Sequence, residues 1–93
     1  LTIGLLEIDL MVHGSTSLKE KRRVVKSLKT QMRNRFNCSV AETGNKDSWS
    51  RAHLAVCIVG DDARFVNTQL NEIARFVESR GTAELVDYAI EML

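Results

Sequence analysis

Apolar and polar residues alternate from the start of the chain. Leu6, Ile8, Leu10 and Val12 fall on one side and Leu5, Glu7, Asp9 and Met11 on the other, which predicts a strand over residues 1–12. The period then changes. Leu18, Val25, Leu28, Met32 and Phe36 recur at helical spacings and form one apolar stripe. Ser17, followed three residues later by Glu20, has the capping-box pattern, so this helix begins at Leu18. The polar turn His13-Gly14-Ser15-Thr16 joins it to the strand.

A second strand is predicted over residues 37–43 and a third over 51–59, where Ala52, Leu54, Val56 and Ile58 alternate with Arg51, His53, Ala55 and Cys57. Between them Gly44 to Ser50 is rich in turn residues and reads as a hairpin. Gly60, Asp61 and Asp62 break the strand and cap a second helix, whose buried stripe is Phe65 or Val66, then Leu70, Ile73 and Val77. Gly81 fits its left-handed end. The last strand, residues 84–92, places Val86, Tyr88, Ile90 and Met92 inward and Leu85, Asp87, Ala89 and Glu91 outward.

The order βαββαβ predicts an α+β fold: a ferredoxin-like sandwich in which a four-stranded antiparallel sheet carries both helices on one face and leaves the other open. With 93 residues, a single domain spanning 1–93 is expected. No apolar run is long enough to cross a membrane. The first residues have no signal-peptide pattern, and a chain beginning at Leu1 leaves a trimmed or processed end open. Cys38 and Cys57 lack metal-ligand spacing and are expected as free thiols in a reducing cytoplasm.

Charge changes the picture at the first helix. The net charge is only +1, yet eight of the thirteen Lys and Arg residues lie between Lys19 and Arg35, where Glu20 is the only acid. Lys19, Arg22, Arg23, Lys26, Lys29 and Arg33 form a stripe beside the apolar one. Its like-charge i,i+4 pairs each cost an isolated helix roughly 0.2–0.5 kcal/mol. Two readings stand: a row of contacts to nucleic-acid phosphates, or a solvated face paired with Asp61, Asp62, Glu72 or Glu78 of the second helix.

Three smaller constellations carry chemistry. The turn Gly14 to Ser17, with Lys19 and Lys21 nearby, reads either as an anion-holding helix start or as an ordinary cap, the latter preferred. Asp9, His53 and Asp87 meet on the open face if the first strand lies between the third and fourth; solvated surface residues are the preferred reading over a metal or acid–base site. Trp49, with Arg51 beside it, is expected to fold back over the core edge, the other reading being a stacking surface for an RNA base. The expected open face lacks the aromatics of an RRM-type binder.

The segments SLKEKRRVVKSL and RNRFNCSVAE within Ser17 to Glu42, and D-x-W-x-R-A from Asp47 to Ala52, resemble those of the YlxP-like family of small bacterial proteins of unknown function. The likeness covers essentially the whole chain, Cys38 standing where an aliphatic residue is expected. The resemblance implies a ferredoxin-like fold, a bacterial cytoplasmic setting and genes often placed beside translation-initiation and ribosome-maturation factors. It assigns no catalytic residues. The expectation is therefore a non-enzymatic, cytoplasmic RNA- or ribosome-associated binder without cofactor or metal. Its contact residues are Lys19, Arg22, Arg23, Lys26, Lys29, Arg33, Trp49 and Arg51. The alternative is a protein-interaction module or homodimer using the open sheet face.

Overall fold

The computed structural model describes residues 1–93. Its elements run β1 (Thr2–Met11), α1 (Leu18–Arg35), β2 (Ser39–Gly44), β3 (Arg51–Gly60), α2 (Ala63–Arg80) and β4 (Glu84–Met92). All neighbouring strands are antiparallel, in the order β2-β3-β1-β4. This is the ferredoxin-like arrangement expected, with β1 and β3 central.

The alternation in β1 and β3 gives the core its floor. Leu6, Ile8, Leu10, Leu54 and Val56 are fully buried, and Leu6 and Ile8 face Val56 and Leu54 across the pair. Val25, Leu28 and Met32 of α1 and Val66, Leu70, Ile73 and Val77 of α2 close it from above. Burying each such side chain contributes roughly 1.5–3 kcal/mol. Val66, not Phe65, is the first buried residue of α2, since Phe65 remains 58% exposed. Gly4 is required where α2 crosses β1: a Cβ there would stand 2.6 Å from Val66 Cγ1 and 2.7 Å from Leu70 Cδ1.

Both helix starts are capped by the expected residues. Ser17 Oγ accepts from the Glu20 amide at 3.1 Å, and Asp62 Oδ1 accepts from the Arg64 amide at 2.9 Å. The return half of the first cap differs: Glu20 reaches past Ser17 to accept from the amide and hydroxyl of Thr16. Gly81 ends α2 with φ 71°, the left-handed conformation expected there.

The last strand departs from simple alternation. Opposite β4 the register slips between Asp9 and Leu10, so that Asp9 pairs with Asp87 but Leu10 with Leu85. Val86 is the extra residue of this bulge and is 43% exposed, whereas Leu85 turns inward against the core. The expected positions of these two residues are thus exchanged, because a bulge sets two residues against one and reverses the facing beyond it.

One charged side chain lies in the core. Lys21, a turn before Val25 on the apolar stripe of α1, has no exposed side-chain surface. Its Nζ donates to Glu42 Oε2 of β2 and to the Asn45 carbonyl, both at 3.0 Å. Glu42 faces the helix layer because it sits two residues beyond the buried Val40.

Replacing Glu42 with Ala strands this buried ammonium and is expected to destabilise the fold by about 3 kcal/mol. The double variant Lys21→Met/Glu42→Leu should recover most of that loss. Urea unfolding of the three proteins measures both, and a double variant as unstable as Glu42→Ala would refute the pairing as the cause.

Candidate nucleic-acid interface

The rotation of α1 decides which of its cations meet solvent. With Lys21, Val25, Leu28 and Met32 inward, Lys19, Arg22, Arg23, Lys26 and Arg33 are exposed and Lys29 is half-buried. From Lys19 to Arg33 the row rises ~21 Å along the helix. No Asp or Glu oxygen lies within 4.0 Å of any of these six; the ion pairs of the structure are Lys21–Glu42 and contacts of His13 and His53. The pairing with acids of α2 considered for this stripe is therefore not made. Arg33 has a second engagement, its Nη2 donating to the Val40 carbonyl at 3.1 Å and tying α1 to the edge strand β2.

The two remaining candidates of this group are separated from the stripe. Trp49 stands in the β2–β3 loop and is 58% exposed, so it does not fold back over the core edge as expected. Its loop begins at Asn45, whose carbonyl is held by Lys21, and so lies at the end of the molecule where α1 starts. Arg51 begins β3 opposite Met11, on the open face of the sheet and away from α1. Its backbone amide donates to Ser48 Oγ at 2.9 Å, while its Nε is buried without a protein partner.

The helix start carries an ordinary cap: Ser17 accepts from the Glu20 amide, Glu20 accepts from the Thr16 amide and places a negative charge there, and Lys21 is buried, all of which oppose an anion. On the open face β1 does lie between β3 and β4, and Asp9 is in register with both His53 and Asp87. His53 Nε2 stands 3.9 Å from Asp9 and 3.8 Å from Glu7, and its Nδ1 is 2.7 Å from Thr43 Oγ1. Asp87 instead accepts from the Tyr88 amide, and no three His, Cys, Asp or Glu side chains are grouped so as to hold a metal.

Both cysteines are free thiols. Burial pushes the Cys38 thiol above its ordinary pKa, against the pull of the Arg33 charge. No helix is long and apolar enough to cross a membrane.

Fold and surface define a class: a small ferredoxin-like α+β protein presenting one helix with an unpaired basic face. Within it, the chain belongs to the family described as "Protein of unknown function (DUF503)", whose sequence model matches residues 3–90. It is 32% identical over 77 residues to "Uncharacterized protein YlxP" of Bacillus subtilis (strain 168), a match covering 83% of this chain and 84% of that protein. The resemblance seen in the SLKEKR and D-x-W-x-R-A segments is thereby a family relationship.

The start of the basic helix carries a pH dependence. Hydrogen bonds from the Thr16 amide and hydroxyl, helped by the nearby Arg23 charge, hold the Glu20 carboxyl below its ordinary pKa despite slight desolvation. A lowered folded value means that the stabilisation is complete above the unfolded glutamate value and is lost as pH falls through the folded one. The Thr16 amide resonance is expected to titrate in that acid window and to stay flat there in Glu20→Gln.

Proposed function

We propose that this protein is a non-enzymatic, cytoplasmic RNA-binding protein of the translation or ribosome-maturation machinery, and that the exposed basic face of α1 is its contact surface. One observation carries the reading: six Lys and Arg side chains along one helix, none of them with an acidic partner. Self-repulsion on such a face is a local cost, and an anionic partner relieves it. Lys and Arg contacts to phosphates give affinity with little sequence preference, which suits a surface without base-reading aromatics.

Lys19, Arg22, Arg23 and Lys26 form the free centre of this surface. Lys29 and Arg33 extend it toward β2, Arg33 with part of its guanidinium already used at Val40. Exposed Trp49 supplies a stacking plane at the helix-start end. Arg51, on the other face of the sheet, contributes only if the strand wraps around that end.

A second reading has its own support on the open face. Leu5 pairs with Cys57 across β1 and β3, Ala55 pairs with Ala41 of β2 beside them, and Val59 is 62% exposed. Such a patch suits a protein partner or a second copy of the chain.

The first reading is tested by binding to ribosomal RNA and ribosomal subunits across a salt series. Affinity is expected to fall by about 0.7 log units per log unit of salt for each single-strand phosphate contact, and Arg22→Glu/Lys26→Glu should abolish most binding. Unchanged binding by the double reversal would remove α1 as the site. Salt-insensitive dimerisation weakened by Val59→Asp, with no RNA binding at low salt, would favour the open face instead.

A further inference from the structure

On the opposite flank of α1, its C-terminal end and the C-terminal half of α2 border a shallow cleft of about 470 Å³ lined by Arg35, Phe36, Glu72, Arg75, Phe76 and Arg80. Arg35 lies nine residues from Lys26, which on a helix is half a revolution away, so this cleft is distinct from the basic stripe. Phe36 meets Phe76 edge to face, with centroids 5.7 Å apart and rings at 76°. That contact fixes the Phe76 ring, and two guanidinium groups rest on it, Arg35 at 5.2 Å and Arg80 at 4.9 Å from its centre.

We propose that this cleft binds a phosphate monoester, with Arg35, Arg80 and Arg75 as its ligands. Guanidinium groups present planar forks that match phosphate oxygens, and stacking on an aromatic ring holds the fork in place while leaving its N–H edge free. None of the three guanidinium groups donates a hydrogen bond or forms an ion pair within the protein. Three cations against the single carboxylate of Glu72 leave two positive charges, the complement of a phosphate dianion. The C-terminal dipoles of the helices account for Arg35 and Arg80 as ordinary end-of-helix cations. They do not account for Arg75, more than a turn before the end of α2, nor for two guanidiniums gathered on one ring. Adjacent Asn34, at the rim of a second hollow shared with Arg35, Phe76 and Arg80, offers an amide to a neighbouring oxygen or base. The phosphate belongs either to a free mononucleotide or to the end of an RNA strand.

The test is an NMR titration of the isotope-labelled full chain with inorganic phosphate, following the arginine Nε–H groups. Saturable shifts are expected at Arg35, Arg75 and Arg80, with affinity falling at least roughly tenfold in Arg35→Gln/Arg80→Gln. Arg75→Gln, which touches neither ring contact, should also weaken binding and guards against loss of the fold in the double variant. A nucleoside monophosphate, a 5′-phosphorylated oligoribonucleotide and its 5′-hydroxyl form then separate the two sources. The Arg22→Glu/Lys26→Glu protein should bind phosphate as the unaltered chain does, so failure of the basic stripe and failure of the cleft are told apart. Absence of saturable shifts, or shifts unaltered in all the arginine variants, would overturn the proposal.

Discussion

The bonds from Lys21 to Glu42 and to the Asn45 carbonyl set how α1 sits on the sheet. An ammonium group removed from water costs several kcal/mol, and the fold tolerates it only where both acceptors are in reach. Both lie on β2 and the loop that follows it, so α1 has one rotation about its axis that satisfies the lysine. With position 21 inward, Lys19, Arg22, Arg23 and Lys26 lie about 100° to 160° away around the helix and are driven to the surface. The same lysine anchors Asn45, which occupies the left-handed region at φ 59° and opens the loop that carries Trp49. The buried ion pair thus acts with Val25, Leu28 and Met32 to set the rotation of α1, and it ties that helix to the loop carrying Trp49.

Much of this was legible in the sequence, because period two and period 3.6 alternate cleanly in residues whose side chains reach only one core. β1, β3 and the caps of both helices follow from local rules. Lys21 and Glu42 also had a signal, since each occupies a core-facing position of its element; the stripe through Val25 and Leu28 passes over Lys21, and Val40 sets the facing of Glu42. What local reading does not supply is that two opposite charges on separate elements meet there, a property of how α1 crosses β2. The exchange of Leu85 and Val86 was hidden for a related reason. A bulge is decided by the partner strand, and nothing within β4 alone marks it.

The candidate surfaces divide along the same line. That the basic stripe is continuous could be read from spacing, but whether acids of α2 neutralise it depends on tertiary placement. The size of the Trp49 ring suggested burial, yet the hairpin loop leaves it 58% exposed, a placement decided by the loop's path and not by the residue type. The cleft was illegible, since Arg35, Phe36, Arg75, Phe76 and Arg80 come from two helices distant in sequence and meet only in the folded chain, where the two phenylalanines touch.

The two cationic surfaces differ in kind. On the outer face of α1 the side chains are long, separate and free to follow a partner, an arrangement that gives salt-dependent attraction with little demand on shape. In the cleft two guanidiniums are fixed on one ring, so less conformational freedom is lost when an oxyanion arrives and the geometry of the anion matters more. Asn34 lies between them around the helix, and no acidic residue follows Glu20 in α1. One flank of α1 therefore carries a diffuse row of cations, while the other joins α2 in bordering the cleft proposed to hold an anion. If RNA follows the basic face, as proposed, the short way from there to the cleft crosses the C-terminal turn of α1 at Asn34 and Arg35.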